Sequence, residues 1–188
     1  EAENKILVNS YRFGFYFGKL AWGYAKQKTS SWVDVTSRLK LYGESIGLPQ
    51  SMPEELIELF SPIQFYIDTG NAEIGSRSME GVYTLLWECF DQNTAEACVI
   101  GYNFISILSQ IEMLDIHRQS GTLSPNQAHE MEGHIKESID SLKESMEFLS
   151  LKSIHSDFEF DFINLPFAYG EFKKLSPLID EELVNRNA

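Results

Sequence analysis

The sequence predicts an all-α fold, a multi-helix bundle of about five to eight helices packed into one domain. Two stretches, Tyr11–Ala25 and Ala97–Ile111, are apolar around most of their circumference, and the second contains no charged residue. Helices of this kind are usually buried in a core. Signals that start and stop helices recur along the rest of the chain. We therefore expect the helices at 4–27 and 95–118 to be the most buried elements.

The first helix is expected over Ala2–Lys28, with a face of small residues formed by Gly14, Gly18, Ala21 and Ala25. Such a face lets another backbone approach closely. Ser30 or Ser31 offers an N-cap for the second helix, which ends at Ile46 before Gly47.

The third helix is expected to begin at Ser51, with Pro53 tolerated in its first turn, and Pro62 breaks or kinks it. Gly70-Asn71 is a stop signal, and a fourth helix is expected over Ala72–Phe90. Apolar residues recur at helical spacing in both helices, so each has one side to bury.

In the second half, Thr94 is predicted to cap the fifth helix, and Gly121 ends that region. Ser124-Pro125-Asn126-Gln127 supplies a cap residue, a proline at the first helical position and a glutamine at the third. The helix that follows is amphipathic, with one apolar side and one acidic side.

A faint internal repeat joins the two halves. Phe13-Gly-Phe-Tyr-Phe aligns with Ile100-Gly-Tyr-Asn-Phe at an offset of 87 residues, about half the chain. One interpretation is a single domain, 1–188, made of two pseudo-repeated half-bundles, 1–92 and 93–188, each around a buried central helix. Chance similarity between two buried helices is the other interpretation.

The net charge of −13 argues against a nucleic-acid-binding protein, which would normally carry a basic face. The charge is uneven, at −4 for residues 1–94 and −9 for residues 95–188. An acidic surface suits a basic protein partner, although solubility alone also explains it. The predicted partner-binding residues lie on the polar side of the amphipathic helix: Glu130, Glu137, Asp140, Glu144 and Glu147.

The two cysteines, Cys89 and Cys98, lie symmetrically about a predicted turn between two helices. Positions equidistant from such a turn can face each other, so a disulfide can form if the protein is exported. Two separate buried thiols are the alternative, because a free cysteine behaves as a small apolar residue.

No catalytic motif, phosphate loop, dinucleotide fingerprint or metal-ligand pattern occurs in the sequence. We therefore predict a protein that is not an enzyme and that has no cofactor and no metal site. Glu130 and His134 share a helical face, but a solvated face explains them better than half of a metal site. They and His117 are the first residues to test for an enzyme with a cryptic site.

Asp157–Phe162 alternates apolar and acidic residues like a strand, but no partner strand is evident, so an extended segment or a short helix is expected. A last helix is expected over Phe167–Leu175, with a frayed tail after Pro177. The aromatic residues here could line an apolar ligand pocket or pack over a bundle end. The candidate ligand-binding residues are Phe158, Phe160, Phe162, Phe167 and Tyr169.

The run Tyr11–Phe60 contains Gly14-Phe-Tyr-Phe-Gly-Lys-Leu-Ala, then Tyr42 with Ile46-Gly-Leu-Pro, then Glu54-Glu-Leu with Leu59-Phe60. In this outline the chain resembles an uncharacterised group of exported helical proteins and lipoproteins from Bacteroidetes-type bacteria. The resemblance implies an all-helical fold and export, and it implies no activity.

We therefore predict a periplasmic or cell-envelope protein, with the cytoplasm as the alternative compartment. Arg12 and Lys19 interrupt Ile6–Ala25, so membrane association is expected only through a removed or missing N-terminal anchor. The predicted function is non-enzymatic binding through protein–protein contacts, for example by an immunity-type inhibitor of a basic partner. The alternative is a carrier of an apolar small molecule or lipid that uses the Phe-rich segment 158–172.

Overall fold

The computed structural model of the chain describes residues 2–22, 29–60, 69–152 and 162–186. These ranges form eight α-helices and contain no strand, so the all-α prediction is confirmed. The helices are α1 (Ala2–Ala21), α2 (Thr29–Ser45), α3 (Ser51–Phe60), α4 (Thr69–Cys89), α5 (Gln92–Ser120), α6 (Pro125–Phe148), α7 (Leu165–Lys173) and α8 (Leu175–Val184).

Helices α1 and α5 pack side by side at the centre of the molecule. Gly14 of α1 faces Cys98, and Gly18, one turn further along, faces Ile105. A later residue of α1 contacts a later residue of α5, so the two helices run parallel. Among the described residues, four of the six fully buried aromatic side chains lie on these two helices: Tyr11, Phe13, Phe17 and Phe104.

Glycines allow this close approach. A Cβ on Gly14 would lie 1.8 Å from the carbonyl oxygen of Cys98, and a Cβ on Gly101 would lie 2.2 Å from the carbonyl oxygen of Tyr11. Neither carbonyl can move without shifting its helix, so both positions require glycine. The prediction that the small face of the first helix receives another backbone is therefore confirmed at Gly14.

The contacts across α1 and α5 are reciprocal. The Phe15 ring lies 6.3 Å from the Phe104 ring, and the Phe17 ring lies 5.1 Å from the Tyr102 ring. Phe15 and Phe17 precede Tyr102 and Phe104 by 87 residues, so each pair maps onto the other under the predicted repeat. Two equivalent halves related by a two-fold axis make reciprocal contacts of this kind. The pseudo-repeat stays a prediction that these contacts support.

The remaining helices cover the central pair from two sides. Residues of α2, α3 and α4 join α1 and α5 in one apolar cluster, and residues of α6, α7 and α8 join them in a second. Helix α4 packs against α5 of the second half, while α8 packs against α1 of the first. Each half therefore contributes a helix to the core of the other.

Some helix ends differ from the prediction. Asp91 caps α5, not Thr94, because the Asp91 carboxylate accepts a hydrogen bond of 2.7 Å from the Thr94 backbone N–H. The capping box at Ser124 and Gln127 is confirmed. Helix α4 begins at Thr69 and continues through the predicted stop at Gly70.

The C-terminal region is more helical than predicted. Asn164 caps α7, so Pro166 stands in the first turn, where its missing N–H costs nothing. The tail after Pro177 is not frayed down to Val184, because α8 buries Ile179 and Leu183 in the core. Burial of these two side chains stabilises a helix that a charged tail alone would not predict.

Among the described helices, α5 alone is long and apolar enough to cross a membrane, with a mean hydropathy of 1.4 over its most apolar window. Of this window, 72% is buried inside the protein. The core helix of a bundle has the same composition, because its neighbours cover it on all sides.

Candidate functional site

The five predicted partner-binding residues all lie exposed on α6 and form what we call the acidic face: Glu130, Glu137, Asp140, Glu144 and Glu147. From Glu137 onward they recur at intervals of three and four residues, which places them on one side of a helix. The opposite side of α6 buries Ile135, Ile139 and Leu142 in the core. The acidic face therefore points to solvent along most of the helix.

Lys136 and Lys143 border the acidic face on the same helix, and His134 lies within it. His134 lies 3.9 Å from a carboxylate oxygen of Glu130 and 4.0 Å from one of Glu137. Asp140 and Glu144 form no ion pair with any residue that the structure describes, and the same holds for Glu147. This end of α6 therefore carries three exposed carboxylates and one lysine, Lys143.

An aromatic side chain ends the acidic face. Phe148 is 47% exposed, and it lies one turn beyond Glu144 and next to Glu147. Protein interfaces commonly combine an exposed aromatic anchor with a polar rim.

Of the predicted ligand-binding aromatics, the structure describes Phe162, Phe167 and Tyr169. Phe158 and Phe160 lie outside the described residues. Phe162 is half-buried beneath the ammonium of Lys136, which lies 5.6 Å from its ring centroid. Phe167 is 61% exposed, and the half-buried Tyr169 packs against the core.

The cysteine prediction needs correction, because both thiols are free. Cys89 is exposed at the end of α4, whereas Cys98 is fully buried in α5 and faces Gly14. Neither the disulfide nor the alternative of two buried thiols is therefore observed. Burial raises the pKa of the Cys98 thiol well above its usual range.

A cavity that no sequence pattern predicts lies between α5 and α6, and we call it the α5–α6 cavity. Its volume of about 510 Å³ lies within the size range of small-molecule sites, roughly 300–1,000 Å³. Its lining residues come from α4, α5 and α6, from the α5–α6 connection and from the position just after α1, and they include Trp22, Ser76, Ser106, Gln110, Met113, His117, Leu123, Met131, His134, Ile135, Glu137 and Ser138.

Hydrogen bonds fix the polar residues of the α5–α6 cavity. The Gln110 side-chain amide donates to the Ser106 hydroxyl at 3.0 Å and to the Ser138 hydroxyl at 3.3 Å. Ser138 donates in turn to the backbone carbonyl of His134 at 3.0 Å. This chain links α5 to α6, and it occupies both N–H groups of Gln110.

A second cavity of about 530 Å³ lies between α4 and α5, and Ser76 lines both cavities. Tyr102 lines the second cavity and Trp22 lines the first, and the Tyr102 hydroxyl lies beside Trp22 Nε1. Both atoms are buried without a hydrogen-bond partner among the described residues. Burial raises the pKa of Tyr102 above its usual range.

His117 and His134, two of the residues named for a cryptic enzyme site, line the α5–α6 cavity, whereas Glu130 is exposed outside it. Within the described ranges, no three His, Cys, Asp or Glu side chains are placed to hold a metal ion. The arrangement offers hydrogen bonding and apolar contact as its chemistry.

Comparisons of the chain with protein-family models, curated proteins and solved structures returned no match. The resemblance to exported helical proteins of Bacteroidetes-type bacteria therefore stays a prediction. The acidic face and the α5–α6 cavity are the two features of the described structure that bear on function.

Proposed function

We propose that this chain is a non-enzymatic binding protein of the periplasm or cell envelope that binds a basic protein partner through the acidic face of α6. The observation that carries the proposal is the row of five exposed carboxylates on one side of a single helix, three of which form no ion pair with a described residue. Such a row attracts a basic surface and accelerates association with it.

The dimensions of the acidic face suit a protein partner. Glu130 and Glu147 are 17 residues apart, which corresponds to about 26 Å of helix at 1.5 Å per residue. Phe148 supplies an aromatic anchor at one end. A face of this length matches a basic groove, and an immunity-type inhibitor that covers the active site of a basic toxin is one specific version.

The test is a comparison of two variants with equal charge changes at different places. One variant carries Asp140→Lys and Glu144→Lys on the acidic face, and the control carries Glu55→Lys and Glu58→Lys on the exposed side of α3. Each is used to capture partners from an extract of the source cells, at low and at high salt.

We expect the unchanged chain and the α3 variant to capture the same basic protein, and the acidic-face variant to lose it. We also expect high salt to weaken the complex, because salt screens exposed charges. Equal capture by both variants, or equal loss, would show that the acidic face has no specific role.

A second candidate function is carriage of an apolar small molecule, and the α5–α6 cavity favours it. This cavity is lined by none of Phe162, Phe167 and Tyr169, so the carrier function moves away from the described part of the Phe-rich segment. Native mass spectrometry of freshly purified protein tests carriage directly. A co-purified small molecule supports it, and repeated spectra of the unliganded chain count against it.

A further inference from the structure

We propose that an extended segment of the basic partner, carrying lysine or arginine and aromatic side chains, lies along α5 in a groove formed by the α5–α6 cavity and the second cavity. This inference rests on the basic-partner function proposed above and names how the partner is recognised. It depends on the course and width of the groove, on the side chains that cover the equivalent side of α1, on unpaired polar groups and on the charges of the walls.

The two cavities follow one another along a single side of α5. Six of their lining residues recur at intervals of three and four positions, which places them on one side of the helix: Val99, Asn103, Ser106, Gln110, Met113 and His117. Helix α4 forms one wall and α6 the other, and Ser76 lines both cavities. Val99 and His117 are 18 residues apart, or about 27 Å of helix. We call this feature the α5 groove.

The width of the α5 groove favours an extended chain over a helix. The α5–α6 cavity holds about 510 Å³ along the 11 residues from Ser106 to His117, or about 16 Å of helix. Its mean cross-section is therefore about 30 Å², whereas an α-helix of 10 Å diameter occupies about 80 Å². An extended chain is thinner, because neighbouring strands lie only about 4.8 Å apart in a sheet.

One side of α1 is covered by its own long side chains. The Tyr16 ring stacks on the ring of Tyr42 of α2, with centroids 5.8 Å apart. The Arg12 guanidinium pairs with Asp180 of α8 at 2.8 Å, and the Lys19 ammonium lies 5.3 Å from the centroid of the Tyr16 ring. Cationic and aromatic side chains therefore connect this side of α1 to the helices on either side of it.

The predicted repeat makes this side of α1 equivalent to the α5 groove. The residues that correspond at the offset of 87 are Arg12 and Val99, Tyr16 and Asn103, and Lys19 and Ser106. The three α5 side chains are shorter than their counterparts, and both cavities lie beside them. Space that the first half fills with a cation and an aromatic ring is therefore open in the second, where a partner can supply the same side chains.

Polar groups on the floor of the groove are available to a peptide backbone. Ser106 and Ser138 occupy both N–H groups of Gln110, but its side-chain carbonyl accepts no hydrogen bond from a described residue. The Asn103 amide forms none with a described residue either. Both residues are only half-buried, and neither contributes a buried polar atom without a partner, so these groups are accessible. The N–H and C=O groups of an extended segment need partners of this kind.

The walls of the α5 groove suit a basic segment. Glu80 of α4 lines the second cavity, and Glu137 of α6 lines the α5–α6 cavity and also belongs to the acidic face. Both residues are exposed, and neither cavity has a lysine or arginine among its described lining residues. A basic segment that passes from the acidic face into the groove therefore meets a carboxylate on each wall.

The test uses two synthetic octapeptides with blocked ends, which span about 26 Å when extended. The basic probe is Lys-Thr-Tyr-Val-Lys-Thr-Tyr-Val, whose β-branched residues favour an extended chain. The acidic probe has glutamate in place of each lysine. Octane is the third probe, because it tests the cavity for carriage of an apolar molecule.

Binding is followed by NMR of the five methionine methyl groups, assigned by substituting each methionine in turn. We expect the basic probe to cause saturable shifts of Met79, Met113 and Met131, which line the groove. Met52 and Met146 line neither cavity, so their signals should not shift. The acidic probe should bind more weakly than the basic one, because it meets like charges on both walls.

Two variants and a matched control test the groove. Asn103→Tyr gives α5 the residue that α1 carries at Tyr16, and we expect it to fill the groove and abolish saturable binding of the basic probe. Glu80→Gln should weaken binding about twofold to fivefold, as loss of an exposed ion pair does. Glu88→Gln removes the same charge from an exposed position of α4 outside both cavities and should bind like the unchanged chain. The circular dichroism spectrum and the unfolding midpoint verify that each variant is folded.

The outcomes separate this inference from the function on which it rests. Absence of saturable basic-probe binding, equal binding of the acidic probe, or equal affinity in a folded Asn103→Tyr variant would overturn the groove assignment. Loss of partner capture in the acidic-face variant would still support the basic-partner function in each case. Octane binding without basic-probe binding would overturn the groove assignment in favour of carriage. Basic-probe binding that Asn103→Tyr abolishes would support the groove, even if equal capture by both charge variants showed that the acidic face has no role.

Discussion

The Tyr102 hydroxyl packs so closely against Gly75 of α4 that it restricts which residue can occupy that position. A Cβ on Gly75 would lie 2.2 Å from the Tyr102 hydroxyl oxygen but 3.4 Å from the ring carbon that bears it. Contact with the hydroxyl is too close, whereas contact with the ring carbon is an ordinary van der Waals distance. The severe steric conflict therefore involves the hydroxyl oxygen, and a milder one involves the Ala21 Cβ at 3.2 Å.

We expect Gly75→Ala to lower the free energy of unfolding by about 1–3 kcal/mol, since overpacking of a core costs this much. Tyr102→Phe should restore most of the loss when the two changes are combined. Urea unfolding of the two single variants and the double variant measures this coupling. Gly81→Ala, on the same helix but in open space, is the control and should not destabilise the protein.

The two cysteines should differ in reactivity. Because burial raises the pKa of Cys98 and shields its sulfur, we expect a thiol reagent at pH 8 to modify Cys89 alone in the folded protein. Two thiols should react in denaturant. Mass spectrometry after labelling counts them, and fast modification of Cys98 in the folded chain would contradict its burial.

At the scale of elements, α8 depends on specific contacts with α1. The Arg12 guanidinium donates two hydrogen bonds to the Asp180 carboxylate, at 2.8 and 2.9 Å, and the pair is about one-third exposed. The Tyr11 hydroxyl lies 3.0 Å from the Ser176 hydroxyl. These contacts hold the last helix against the first.

We expect Asp180→Asn to destabilise the protein by about 1 kcal/mol, because a bidentate ion pair of partial exposure contributes roughly that much. Backbone amides of α8 should then exchange with deuterium faster than those of α5. Glu181→Gln removes the same charge from the neighbouring, exposed position and should leave exchange unchanged. Equal exchange in both variants would mean that α8 does not need the ion pair.

The sequence predicts a helix well where the residues that start, end or bury it lie within that helix. The capping box at Ser124 and the central helices were predicted because caps and apolar periodicity act within one element. The helical tail after Pro177 was not predicted, because it depends on Ile179 and Leu183 reaching a core formed by distant helices.

The candidate site divides in the same way. The exposed acidic face was predictable, since the charge pattern of α6 determines which side faces solvent. The α5–α6 cavity was not, because it exists only where α1, α4 and α6 leave part of α5 uncovered. The spacing of residues along one helix does not predict a gap that forms where several helices pack together.

At the scale of the whole molecule, buried proton-bearing groups couple stability to alkaline pH. Burial raises the pKa of Tyr11, of Tyr102 and of the Cys98 thiol in the folded chain. In the unfolded chain these groups ionise near their ordinary values, about 8.5 for a thiol and 10 for a tyrosine. As the pH rises through these values, the three groups lose their protons in the unfolded chain but keep them in the folded chain.

We therefore expect the free energy of unfolding to be insensitive to these groups below about pH 8 and to fall as the pH rises through 9 and 10. Tyr102→Phe should make the alkaline decline shallower by up to about 1.4 kcal/mol per pH unit, because one fewer proton is released on unfolding. Urea titrations between pH 7 and 11 measure both slopes. An unchanged slope would mean that Tyr102 ionises as easily in the folded chain.

The parallel pairing of α1 with α5 also has a consequence for synthesis. Ser10 donates to the backbone carbonyl of Thr94, 84 residues later, so the groove of α1 that receives α5 has no partner when it leaves the ribosome. At about 5–20 residues per second, translation needs roughly 4–17 s to deliver that partner. For those seconds the nascent chain therefore exposes an apolar, glycine-lined surface of α1, to which chaperones can bind and through which chains can aggregate.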